Sequence, residues 1–146
     1  IMAITSAICT SFKQELLVGT HNFTATTGNT FKIALYTSSA TLGAGTTAFS
    51  STNEITNSSG TAYTSGGASL TSVTPTTDST TAVCDFADVS FTSASFTANG
   101  ALIYNSSQSN KAVAVIAFGG DKTVSSGTFT IQFPTADATN AIIRLA

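Results

Sequence analysis

Hydrophobic positions along this chain follow two spacings. Near the start, in "TSAICTSFKQELLVGT", Ile8, Phe12 and Leu16 recur every four residues beside the polar Lys13, Gln14 and Glu15, which predicts one amphipathic helix over about residues 5–18. Thr5 or Ser6 would cap its start, and Gly19 suits the position after its last turn. Two uses of its apolar stripe are open: packing on the chain's own sheet, or docking onto another subunit.

Beyond the helix the period shortens to two. "TFKIALYTSS" alternates Phe31, Ile33 and Leu35 with Lys32, Ala34 and Tyr36, a strand with one buried face. The second half is a series of short strand candidates: "ASLTSV", "TTAVCDF", "DVSFT", "SFTANGALIYN", "KAVAVIAF", "GTFTIQF" and "NAIIRLA". Turn-rich clusters such as "TPTTDS", "NSSQSN" and "GGDKTVSSG" separate them. "AVAVIAF" is apolar on both faces, which predicts a central strand flanked by "ALIYN" and "FTIQF". No helices alternate with these strands, so a parallel α/β fold is excluded in favour of a mainly β protein. The expected fold is an antiparallel two-sheet β-sandwich, jelly-roll or immunoglobulin-like, with one N-terminal amphipathic helix.

Residues 40–67 fit neither period. Their background of Ser, Thr, Gly, Ala and Asn could be a linker, a catalytic loop or an anchored connection. Strand signals on both sides argue against a linker, so the expectation is a single domain, residues 1–146, with a long ordered arm over about residues 40–67. Ile55, Tyr63 and Leu70 would pin the arm, Gly60, Gly66 and Gly67 would permit turns, and Glu54 would accept backbone N–H groups. Self-packing and contact with a neighbouring subunit both remain open for it.

Composition narrows the function classes. Charged residues are 8 % of the chain, against about a quarter in ordinary globular proteins, and Ser plus Thr make up about a third. Hydrophobic residues at 42 %, ten Phe and a mean hydropathy of +0.28 are the wrong balance for disorder. Uncharged Thr/Ser faces suit a surface covered by neighbouring subunits. Five Lys+Arg against seven Asp+Glu, with no basic cluster, give no grip on a phosphate backbone, so no nucleic-acid partner is expected. The longest apolar run, Ala112–Phe118, is too short to span a bilayer, and no basic segment precedes an apolar one near the start. No membrane partner is expected, and synthesis is expected in the cytoplasm.

Candidate chemistry is sparse. His21 is the only histidine, and no serine stands in a strand, tight turn and helix setting, so a hydrolytic triad is not expected. His21 reads instead as a turn residue or one hydrogen-bonded at the helix C-terminus. Asp85 and Asp88, with Asp121, lack the regular ligand spacing of a calcium loop and read as turn residues. Cys9 and Cys84 read as small buried apolar residues rather than a disulfide, and with one histidine they make no zinc pattern. "LGAGTTA" and "GGDKT" lack the spacing of nucleotide loops. No metal, no cofactor and no enzymatic activity are expected.

In order, "TFKIALYTSS", "STNEITNSSGTAYTSGG", "DFADVSFTSASFTANGALIYN" and "KAVAVIAFGGDKTVSSGTFTIQF" resemble a group of small virion structural proteins of tailed bacteriophages. The shared pattern is a "LYT" strand, a segment beginning "NE" and closing on a Tyr and two Gly, an aromatic strand and "GALIYN". It falls here on Leu35, Tyr36 and Thr37; on Asn53, Glu54, Ile55, Gly60, Tyr63, Gly66 and Gly67; and on Gly100 to Asn105, which includes Tyr104. The chain departs from the pattern by an extra "TNSS" after Ile55 and by Asn99 where an Arg is more usual. The resemblance implies structure and attachment rather than catalysis. Expected is a capsid decoration or cement protein, located on the virion and bound to the major capsid protein or other virion proteins as a trimeric or dimeric homo-oligomer. The alternative is a tail or fibre-base component contributing to host contact, with exposed tyrosines as recognition anchors. Ile8, Phe12, Leu16, Glu54, Ile55, Tyr63, Leu70 and Tyr104 are the candidate assembly and anchor residues.

Overall fold

The computed structural model describes residues 3–56 and 63–146; Gly60 and most of the "TNSS" insertion lie outside the described residues. The elements run β1 (Ala7–Ile8), α1 (Thr10–Leu17), β2 (Phe31–Tyr36), β3 (Ala68–Ser69), β4 (Ser72–Asp78), β5 (Thr81–Phe86), β6 (Val89–Asn105), β7 (Lys111–Ile131) and β8 (Ile143–Leu145). They form two antiparallel sheets, one ordered β1-β7-β6-β2-β3 and one ordered β4-β5-β8. The fold is mainly β with one short helix, as the spacing of apolar residues predicts, and both sheets contribute to one core.

Aromatic rings join the layers. Phe23 stacks on Phe31 of β2 at 4.3 Å, Phe12 of α1 meets Phe23 edge-on at 5.9 Å, and Phe86 of the smaller sheet lies 5.8 Å from Phe31. A second group brings Tyr63 against Phe91 at 5.5 Å and Phe96 against Phe129 at 5.0 Å. Offset and edge-on pairs of this kind add to the stabilisation from area burial alone.

The N-terminal segment departs from expectation. The helix spans only Thr10–Leu17, because Ala7 and Ile8 are drawn into the large sheet opposite Val115 and Ala114. Ile8 is therefore a strand residue, outside any helical stripe. Neither Thr5 nor Ser6 caps the helix: the Thr5 N–H bonds the Leu42 carbonyl at 2.9 Å, and the Ser6 hydroxyl accepts the Ala117 N–H at 2.8 Å. Cys9, with extended backbone, precedes the first turn and gives no side-chain cap. Gly19 closes the helix as expected, its N–H on the Leu16 carbonyl at 3.2 Å. Glu15, expected on the wet side, is buried.

The strand pattern departs in one consistent way: expected turns prove to be interruptions within longer strands. "DVSFT" and "SFTANGALIYN" fuse into β6, and "KAVAVIAF", "GGDKTVSSG" and "GTFTIQF" fuse into β7. "FTIQF" is thus not a neighbour of "AVAVIAF" but its continuation; the neighbours of that run are β6 and β1. Between Gly100↔Ala117 and Ala98↔Lys122, β7 advances five residues while β6 advances two, so the glycine pair makes a bulge rather than a reversal. "TPTTDS" likewise lies largely in β4, whose register shifts between Val73 and Thr76 around Pro75. An edge strand with a bulge is where a residue without an N–H is tolerated. Strand β2 is buried on both faces, Ala34 and Tyr36 as well as Phe31, Ile33 and Leu35.

Candidate functional site

The arm between Ala40 and Gly67 is tied to the outer edge of β2. That strand pairs with β6 on one side, but on the other β3 reaches only Lys32 and Ile33. The rest of the edge would be left open, and an open apolar strand edge invites pairing with other chains. The arm closes it. Ile55 N–H donates to the Leu35 carbonyl at 3.0 Å, Thr37 N–H donates to the Asn53 carbonyl at 3.0 Å, and Tyr36 bridges Glu54. The Leu35 N–H, which a neighbouring strand would normally satisfy, donates instead to the Tyr63 hydroxyl at 2.9 Å.

That hydroxyl is one corner of a buried clasp. Tyr63 in turn donates to Glu54 Oε1 at 2.7 Å. The same oxygen accepts the Gly66 N–H at 2.6 Å, and Oε2 accepts the Ser65 hydroxyl at 2.9 Å. Glu54 forms no ion pair among the described residues, and these donors offset the cost of its desolvation. Tyr104 of β6 donates to the Gly66 carbonyl at 2.6 Å and stacks on Phe49 of the arm at 4.7 Å. Tyr36 donates to the Ser50 carbonyl at 2.8 Å. Gly67 is held at φ +78°, and a Cβ there would lie 1.8 Å from the Ile33 carbonyl oxygen, so only glycine lets the arm pass this close to β2.

Burial, with the Glu54 charge adding to it, pushes all three phenols above their ordinary range, Tyr104 to about 12. Each stays a protonated donor under ordinary conditions. All three tyrosines are buried, which overturns the expectation of exposed tyrosines as recognition anchors: their rings fill the core and their hydroxyls serve backbone and carboxylate partners.

The candidate residues therefore divide. Glu54, Ile55, Tyr63 and Tyr104 meet in the clasp, and Leu70 is buried just beyond it, its N–H on the Phe31 carbonyl. Phe12 is buried and Leu16 half-buried beside it on α1, whereas Ile8 lies in β1.

A second buried polar group centres on His21, which the sequence placed in a turn or hydrogen-bonded at the helix C-terminus but without these partners. His21 Nε2 meets Glu15 Oε2 at 2.7 Å, and Asn105 Nδ2 donates to His21 Nδ1 at 3.0 Å and to Asn29 Oδ1 at 2.9 Å. The Ser107 N–H fixes the Asn105 oxygen at 3.1 Å, so both Asn105 donors point inward and the imidazole carries its proton toward Glu15. Lys111 Nζ completes the group at 3.4 Å from Glu15 Oε1. Both ring nitrogens are occupied, leaving none to activate a nucleophile. The only prior signal was that His21 follows the helix end.

Elsewhere, Asp85 and Asp88 bind the backbone N–H groups of Phe86 and Phe133, and Asp121 accepts from Asn99. No three His, Cys, Asp or Glu side chains gather among the described residues. Cys9 and Cys84 are free thiols, each pushed by burial to about 11, with the Glu15 charge adding to the effect at Cys9.

Comparison with protein families, curated proteins and solved structures returns no match. The geometry and the motif resemblance carry the functional reading.

Proposed function

We propose that this chain is a structural component of a tailed-phage virion, a decoration or cement protein that binds the outside of the head shell and reinforces contacts between capsid subunits. The observation that supports this reading is where the shared motif falls. Glu54, Tyr63, Gly66, Gly67 and Tyr104, spread over fifty residues of sequence, converge on one buried clasp whose bonds all serve to seal a strand edge. Such a clasp holds the chain in a rigid, closed shape, which suits a particle component. Modest interfaces repeated over a shell then sum to substantial reinforcement.

Copy number per particle tests it. Quantitative mass spectrometry of purified virions should give hundreds of copies, and the purified chain should bind empty heads and raise their thermal stability. A handful of copies per particle, or binding to isolated tails but not heads, would sink the proposal and favour a tail or fibre-base position.

A further inference from the structure

A cavity of about 520 Å³ opens beside the far half of β7 and the segment that follows it. Ile116, Phe118, Phe129, Ile131, Phe133 and Ile142 wall it, and the Phe118 and Phe129 rings meet at 6.0 Å. All but Ile131 are only partly buried although they pack against the core, so the cavity carries the apolar surface of the core out to solvent. The one charged residue in the lining, among the described residues, is the exposed Lys122, and it forms no ion pair among them. Its neighbour Asp121 is taken up by Asn99 and is absent from the lining. The glycine bulge sets Lys122 in place: it stands opposite Ala98, the position that Gly119 would hold if the ladder ran unbroken from Gly100↔Ala117.

From this arrangement we infer that the cavity binds an amphiphilic carboxylate, an alkyl chain of about ten carbons lying against the Ile and Phe walls with its carboxylate on Lys122. Two features select that ligand. The volume falls within the range of small-molecule sites, about 300–1,000 Å³, and the lining has their balance of many apolar residues to few polar ones. The charge then selects the headgroup. A lone ammonium at the rim of an apolar cavity, with no acidic residue in the lining to neutralise it, pairs with an anion, gains nothing comparable from a neutral alcohol and repels an alkylammonium. The inference concerns a small ligand and does not rest on the virion reading; head binding and ligand binding are separate measurements.

Isothermal titration calorimetry of the intact chain with decanoate at neutral pH reads the outcome, with octanoate, decan-1-ol and decyltrimethylammonium for comparison. Decanoate should bind one per chain, and octanoate about 10-fold more weakly, because two fewer CH₂ groups leave water. Decan-1-ol should bind about 5-fold more weakly than decanoate, and the alkylammonium more weakly still. Lys122→Gln should lower the decanoate affinity about 5-fold and leave that for decan-1-ol unchanged, and its exposure means that the melting temperature should match the parent chain. Amide chemical shifts should move at residues 116–118 and 129–133. No binding at millimolar decanoate, an affinity indifferent to chain length, equal affinities for acid and alcohol, a Lys122→Gln chain that binds decanoate as the parent does, or shifts confined to another face would overturn the inference.

Discussion

Tyr63→Phe removes one oxygen and is the sharpest test of the clasp. The hydroxyl has two partners, the Leu35 N–H at 2.9 Å and Glu54 Oε1 at 2.7 Å. Leu35 is fully buried, so its N–H is left with neither protein nor bulk water, a loss of about 1–3 kcal/mol. Loss of the charge-assisted bond to Glu54 adds about 1.5 kcal/mol, the low end of its range, because the carboxylate keeps the Gly66 N–H and the Ser65 hydroxyl. The ring and its contacts with Phe91 and Phe96 are retained, so no cavity contribution enters. The expected destabilisation is about 3 kcal/mol, a fall in Tm of about 6–12 °C for a domain of this size. Tyr36→Phe is the control: among the described residues its hydroxyl serves the Ser50 carbonyl, on an exposed residue, and its loss should cost about 1 kcal/mol. Urea unfolding of both variants, with calorimetry for Tm, makes the comparison. If Tyr63→Phe costs no more than Tyr36→Phe, the hydroxyl is not what closes the β2 edge.

Gly67→Ala should be far more severe, above about 4 kcal/mol and seen as loss of soluble protein, since the new methyl would overlap the Ile33 carbonyl and neither backbone can yield. Asn105→Asp replaces two donors with a carboxylate facing His21 Nδ1 and Asn29 Oδ1, and should cost about 3 kcal/mol by urea unfolding, whereas the exposed Ser109→Asp should cost under about 0.5 kcal/mol. Alkali should weaken the fold. Cys9 and Cys84 keep their protons up to about pH 11 when folded, against 9.0 for an ordinary thiol, and Tyr104 keeps its proton up to about 12, against 10.0. The unfolded chain loses these protons first, so stability should be full below about pH 9 and fall as pH rises toward 11, followed by Tm across that range. A Tm unchanged from pH 9 to 11 would contradict the burial of the thiols.

Alternation in "FKIALY" and the apolar run from Ala112 marked real strands because side-chain period is a local property. What the sequence concealed was non-local. Ile8 keeps helical spacing from Phe12, yet it pairs with Ala114, more than a hundred residues away, and that pairing shortens the helix. Glu15 looks like a solvent-facing helix residue until His21 and Lys111 fold onto it. The arm was legible for a different reason: Glu54, Tyr63 and two adjacent glycines in a Ser/Thr background are few enough to be noticed. Their partners, the Leu35 N–H and the Ile33 carbonyl, are backbone groups that carry no side-chain signature.

The turn-like residues inside β6 and β7 have a physical reason to be there. Beyond its short pairing with β1, the outer edge of β7 has no strand partner among the described residues from Phe118 to Ile131. Proteins usually protect such an edge with charge, and here only Asp121 and Lys122 supply any. Geometry supplies the rest. The β6–β7 register shifts at four places, and Ser93, Gly119, Gly120 and Ser126 adopt positive φ along it. Each shift bends the ribbon and breaks the row of N–H and C=O groups that an incoming strand would need in phase. The clasp does the same for β2 by covering it. Both edges of a charge-poor sheet are thus closed by backbone shape and by the arm rather than by charge.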